Sequence, residues 1–178
     1  MKAIQVLDKA FVPFITASEI DRKIQEIADR INKAYSDKNP LFISVLNGSF
    51  MFASDLFKKI TIPAQISFIK LASYKGTTST GNVITAIGLD ESLKDRHIIL
   101  LEDIIDTGKT LSEFLPQLWN QAPASLKIAA LLTKPEALRH EVHADYTGFE
   151  IENRFVLGYG LDYDGYGRNL PELYQLKP

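Results

Sequence analysis

The sequence predicts an α/β domain with a largely parallel sheet. Three observations carry that reading. Short apolar runs at 41–46, 97–101 and 126–132 have the length and composition of buried strands. Segments with helical apolar spacing alternate with them, the pattern of strands joined by covering helices. One of the apolar runs leads directly into a glycine-containing turn and a further helix, where open parallel sheets bind their ligands.

The elements follow in order. Thr16-Ala17-Ser18-Glu19 is a capping box, so it starts a helix. Ile20, Ile24, Ile27, Ile31 and Tyr35 then recur at helical spacing, giving an amphipathic helix over 16–36. The run 41–46 is a buried strand, and Asn47-Gly48-Ser49 turns it into a second helix over 50–59. Residues 65–71 read as a strand. The stretch 73–82, SYKGTTSTGN, has no apolar periodicity and the composition of a mobile loop. Residues 83–87 resume as a strand, and 97–101 form a strand covered on both faces. A helix is expected over 111–120, with Pro116 kinking or shortening it. Another buried strand covers 126–132, and short late strands 149–151 and 155–157. The glycine- and tyrosine-rich tail reads as irregular.

Composition sets outer limits. The 178 residues suffice for one domain with a substantial core, and no repeat or linker marks a boundary. Twenty basic residues stand against 22 acidic ones, which disfavours a nucleic-acid partner. The absence of cysteine excludes disulfides, thiolate catalysis and cysteine zinc sites and fits a reducing compartment. The start lacks a signal-peptide pattern, and no apolar run approaches the roughly 20 residues of a membrane helix. A cytoplasmic protein without membrane contact is expected.

The chemistry concentrates in Glu102-Asp103-Ile104-Ile105-Asp106-Thr107-Gly108-Lys109-Thr110. Its end is like the tail of a P-loop, but Asp103 stands where that motif needs its first glycine. The turn into the helix offers successive backbone N–H groups to an anion. Thr107 and Thr110 add hydroxyls, and Lys109 adds charge. The acids need a different partner, and hydroxyls or Mg²⁺ would provide one. Glu102 and Asp103 would face opposite ways on a regular strand, but at a fraying strand end both could reach one ligand. A ribose phosphate offers a phosphate and a vicinal diol, which suits amides at one end and carboxylates at the other.

An apolar strand, two acids, two apolar residues and then D-T-G-K-T resembles the phosphoribosyl-pyrophosphate (PRPP) motif of type I phosphoribosyltransferases. Val45-Leu46-Asn47-Gly48-Ser49-Phe50-Met51-Phe52 resembles that family's pyrophosphate loop. Ser73-Tyr74 resembles the opening of its flexible catalytic loop. Gly148 to Ile151, Phe155 to Tyr163 and Arg168-Asn169-Leu170 resemble the base-binding hood of the hypoxanthine-guanine branch. The matches cover about three quarters of the chain.

The resemblance implies the type I phosphoribosyltransferase fold, a twisted sheet flanked by helices with a small hood over the site. One domain would span 1–178, its hood drawn from about 148–178, with the N-terminal residues as a candidate addition. Glu102 and Asp103 would bind the ribose hydroxyls or Mg²⁺, and Asp106 would be the general base facing the purine. Thr107, Gly108, Lys109 and Thr110 would hold the 5′-phosphate. Asn47, Gly48, Ser73, Tyr74 and Arg168 would meet pyrophosphate. Lys134, after a buried strand, would read the purine O6, with Phe155 stacking, the Val156 backbone at the base edge and Asp162 holding a second Mg²⁺. The implied activity is purine salvage, joining hypoxanthine or guanine to PRPP, by a homodimer or homotetramer.

The sequence departs from the family at Asn47, where many relatives have a basic residue. Pyrophosphate contact there would come mainly from backbone N–H groups. The family's non-proline cis peptide would join Leu46 and Asn47. His140-Glu141-Val142-His143 misses the H-E-x-x-H zinc spacing by one residue and reads as solvated surface. Trp119 reads as helix packing. Two other functions compete: a nucleotide-binding regulator on the same fold, and a P-loop NTPase. Asp106 with the hood favours the enzyme over the first, and Asp103 argues against the second.

Overall fold

The computed structural model describes residues 2–75 and 82–177. Chain order is β1 (Ile4–Val6), β2 (Lys9–Ile15), α1 (Ala17–Ala34), β3 (Leu41–Leu46), α2 (Phe50–Lys58), β4 (Gln65–Lys75), β5 (Asn82–Ile87), β6 (His97–Ile105), α3 (Lys109–Trp119), β7 (Ser125–Thr133), β8 (Tyr146–Glu150), β9 (Val156–Leu157) and β10 (Leu173–Leu176).

Two sheets form. The larger runs β5-β4-β3-β6-β7-β8. Neighbours from β4 to β8 are parallel, and β5 is an antiparallel edge. From β3 the chain goes outward through β4 to one edge, and from β6 outward through β7 to the other. The carboxyl ends of β3 and β6 therefore form the switch point of an open parallel sheet.

The central strands bury both faces, so alternate residues enter different cores. Phe42, Ile99, Leu101 and Leu131 face α1 and α2, packing on Ile20, Ile24, Ile27, Phe52 and Leu56. Leu41, Ile43, Ile98, Leu100 and Ile128 face the other way, onto Phe114 and Leu118 of α3. The α1 capping box is complete: the Glu19 N–H donates to Thr16 Oγ1 at 3.2 Å and the Thr16 N–H to Glu19 Oε2 at 2.8 Å.

The smaller sheet, β1-β2-β10-β9, is antiparallel and joins the two ends of the chain. Sequence reading missed β1 and β2 and took the tail, including β10, as irregular. Strand β10 exists because β2 and β9 supply hydrogen-bond partners on its two sides, and Leu173 and Tyr174 are buried. The expected loop over 73–82 is also corrected. Ser73, Tyr74 and Lys75 continue β4 and pair with Ile84, Val83 and Asn82, because backbone pairing overrides a polar composition. The rest of that loop, 76–81, lies outside the described residues. Helix α3 runs through Pro116 and stops three residues later, at Trp119. Trp119 is half exposed rather than packed.

Candidate active site

The switch point is built by two turns. At the end of β3 the Leu46–Asn47 peptide is cis, as the resemblance implied. The turn is bolted from below: Ser49, buried, lies 2.7 Å from the buried Ser44 hydroxyl, oxygen to oxygen. Gly48 must be glycine for a steric reason. A Cβ there would lie 1.7 Å from Asp103 Oδ2, so the Asp103 carboxylate lies where a side chain at 48 would go.

The second turn follows β6, which extends to Ile105. Glu102 and Asp103 therefore sit inside a regular strand and not at a fraying end, and strand alternation separates them. Glu102 lines a cleft of about 290 Å³ with Ile104, Asp106, Thr107, Gly108, Lys109 and Thr110. Asp103 points instead under Gly48. The two acids thus take the opposite-face arrangement that the sequence reading gives for a regular strand. Both carboxylates are shifted upward. Burial, reinforced by Asp103, pushes Glu102 well above the ordinary carboxylate range. Burial raises Asp103 to about 6, opposed by the Ile104 N–H that it accepts at 2.9 Å and by the charge of Arg168.

Gly108 is the N-cap of α3 in the left-handed region, φ 77°, and the only side chain bonded to the first turn's N–H groups among the described residues is Thr107, whose Oγ1 accepts the Lys109 N–H at 3.3 Å. Thr107, Lys109 and Thr110 are exposed at this turn. It is held from behind by 138–140, a contact the sequence did not signal. The N–H groups of Arg139 and His140 donate to the Thr107 carbonyl at 3.0 and 3.1 Å. Leu138 and the His140 carbonyl pack against Gly108. His140, Glu141 and His143 are exposed and Val142 is buried. No signal short of the fold marks this strap, since its bonds use backbone N–H groups that any residue carries.

Lys134 is brought into the site from the end of β7. It is buried, and its Nζ lies 2.9 Å from Asp106 Oδ2. The side-chain exposures are 8% for Lys134 and 46% for Asp106, so the acid opens to the cleft and the lysine reaches it from within.

Arg168 donates to the Gly160 carbonyl at 2.7 Å and pairs with Asp162 at 2.7 Å. The second Asp162 oxygen accepts the Gly165 N–H at 2.7 Å. Phe155 is 45% exposed, packed between Phe11 and Tyr163 at centroid distances of 6.2 and 5.9 Å. Val156 is buried in β9, in register with Gln175. Ser73 and Tyr74 lie in the β4–β5 hairpin.

A model of the phosphoribosyl transferase domain matches residues 16–164, which take in both turns, Lys134 and Asp162. The chain belongs to the phosphoribosyl transferase domain family. This phosphoribosyltransferase is 42% identical over 174 residues to the hypoxanthine-guanine phosphoribosyltransferase of Lactococcus lactis, covering 97% of this chain and 94% of that one. It is 40% identical over 160 residues to the hypoxanthine-guanine-xanthine phosphoribosyltransferase of Tritrichomonas foetus, covering 89% and 87%. A hypoxanthine phosphoribosyltransferase structure from Staphylococcus aureus superposes with a TM-score of 0.87 at 35% identity, over 94% of this chain and 91% of that one. A Trypanosoma cruzi hypoxanthine phosphoribosyltransferase variant in a ternary substrates complex gives 0.86 at 36%, over 93% and 95%. The type I phosphoribosyltransferase fold expected from the sequence is the one observed.

Among the described residues no cluster of three or more acids, histidines or cysteines could hold a metal by itself. That fits Mg²⁺, which binds through one or two carboxylates and completes its shell with water and substrate oxygens. Glu102, whose carboxylate meets no donor among the described residues, has the oxygen chemistry for such a cation.

Proposed function

We propose that this enzyme transfers the 5-phosphoribosyl group of PRPP to hypoxanthine or guanine and releases pyrophosphate, as a step of purine salvage. The observation that carries the reading is the buried Lys134 within 2.9 Å of a half-exposed Asp106, one residue before the exposed 107–110 turn that starts α3. The transferase names of its relatives support the same class.

The residues divide the substrates between them. The N–H groups and hydroxyls of 107–110 hold the 5′-phosphate, with Lys109 adding charge. Asn47 and Gly48 offer backbone N–H groups to pyrophosphate, with Arg168, Ser73 and Tyr74 as further contacts. Lys134 donates to the purine O6, and Asp106 accepts a hydrogen bond from the N7–H, and finally its proton, as the other, unprotonated imidazole nitrogen of the purine attacks C1 of the ribose. Its effect comes mainly from a bond that tightens in the transition state. Phe155 stacks on the base and the Val156 backbone meets its edge. Positive charge grows on the ribose as the C1–O bond breaks, and the acids of β6 stabilise it. Glu102 and Asp103 would hold Mg²⁺, and Asp162 would hold a second ion after giving up Arg168. When bound, Mg²⁺ offsets the charge of the leaving pyrophosphate.

The small sheet, with the segment from 148 onward, acts as the hood of a single domain. We place the enzyme in the cytoplasm as a homodimer or homotetramer, with no nucleic-acid or membrane partner; among the described residues no helix is long and apolar enough to cross a membrane. An ultraviolet assay with PRPP, Mg²⁺ and each of hypoxanthine, guanine, xanthine and adenine tests the activity. Turnover of hypoxanthine or guanine is expected, and none with any oxopurine would overturn it. Light scattering reads the assembly.

A further inference from the structure

We propose that Tyr159 and Asp55 form a clip that positions the pyrophosphate end of the site, making Tyr159 a positioning residue for PRPP. The inference rests on the function proposed above and on three contacts.

First, the Tyr159 hydroxyl donates a short hydrogen bond to Asp55 Oδ2, across 104 residues of sequence. Asp55 lies on α2, the helix that the Asn47–Ser49 turn starts. Tyr159 is buried and sits at φ 48°, in the left-handed region that only over-determined non-glycine residues hold. Its backbone is fixed as well, with its N–H donating to the Leu170 carbonyl at 2.8 Å. Second, the next residue presses on the loop itself. A Cβ at Gly160 would lie 2.1 Å from the Gly48 carbonyl oxygen. Third, the Gly160 carbonyl accepts from Arg168, and the Gly160 N–H donates to the Arg168 carbonyl at 3.0 Å.

One turn therefore contacts two of the groups assigned to pyrophosphate, the Gly48 backbone and the Arg168 guanidinium. The Tyr159–Asp55 bond is the side-chain link that ties this turn to α2. Asp55 stays an acceptor because Lys58, at 2.7 Å, and Tyr159 together outweigh burial and hold it below the usual carboxylate range. Burial and Asp55 push the Tyr159 hydroxyl upward, so it remains a donor. Among the described residues, neither Tyr159 nor Asp55 makes a hydrogen bond or ion pair with the purine-reading groups Lys134 and Asp106.

The test separates the two ends of the active site. In Tyr159→Phe and Asp55→Ala, the KM for PRPP is expected to rise about tenfold, the size of one hydrogen bond to a charged group at about 1.4 kcal/mol per decade. The KM for hypoxanthine should move much less. The double variant should be no worse than either single one, since both remove the same link. Lys58→Ala, which removes only the exposed partner of Asp55, should stay within about twofold of the parent. Calorimetric titration with inorganic pyrophosphate and Mg²⁺ reads the same loss without turnover. Failure of the parent enzyme to use any oxopurine would therefore count against the proposed function and leave the clip tested by binding. KM values for PRPP and hypoxanthine that rise together, or additive single effects, would overturn the clip. So would a fall in melting temperature with pyrophosphate affinity unchanged.

Discussion

Lys134 shows how much of a site can follow from one contact between distant residues. The lysine is 28 positions from Asp106, and in sequence it is only a basic residue after an apolar run. Burial decides its role, because a lysine is rarely enclosed without a partner. Lys134→Met keeps the buried stem and removes the charge. The kcat/KM for hypoxanthine should fall about 10- to 100-fold, the range for a hydrogen bond to a charged group, and a fall under threefold in initial rates would remove the lysine from base recognition. Asp103 carries the opposite burden, a carboxylate that burial has raised to about 6 from an ordinary value near 3.9. The native state then holds a proton that the unfolded chain has already lost. Stability falls as pH rises from about 4 to about 6, and the penalty is complete above that window. Asp103→Asn should therefore stabilise the protein by up to about 3 kcal/mol at pH 7.5 and by little at pH 4. Urea unfolding in EDTA at the two pH values checks this; an equal effect at both would refute it.

At the scale of elements, legibility follows the range of the interactions. The capping box of α1, the continuous apolar runs of β3 and β6 and the 106–110 turn are local patterns, and the sequence showed each. The two acids of β6 were recognised with two arrangements open, opposed or convergent, because the choice depends on how far β6 stays paired with β7. The strap at 138–140 and the pairing of β2 with β10 left no periodic trace, since their hydrogen bonds depend on partners far along the chain, and the short β1–β2 hairpin was missed although it is local. The turn between β3 and α2 gives the sharpest test of an element. In Gly48→Ala the new methyl must displace either the Asp103 carboxylate or the turn. Misplacement of about 1 Å in a site of this kind can cost about 100-fold. We expect the KM for PRPP to rise at least tenfold while circular dichroism is unchanged, and wild-type kinetics would mean that the turn yields freely.

At the scale of the molecule, the two sheets are unequal. The larger one lies between two extensive cores, whereas the smaller touches one of them through Ile15, Val156 and Leu173 and otherwise covers only the cluster of Phe11, Leu157 and Tyr174 with a few partly buried neighbours. Local opening is governed by such differences in buried contact. Amides of β2 and β10 should exchange with deuterium well before those of β3 and β6, as read by mass spectrometry of peptic fragments; simultaneous exchange would mean that the sheets unfold as one unit. The pairing of Phe11 with Leu176 has a further consequence, in time. During synthesis β2 emerges early, with β1 as its only available neighbour, and must remain without β10 while nearly all the intervening chain is made. The phosphate turn and Lys134 can be in place on the large sheet before then. Strand β9, next to Phe155, gains its own partner only with β10, so the nascent chain acquires its phosphate end first and its base-stacking end last.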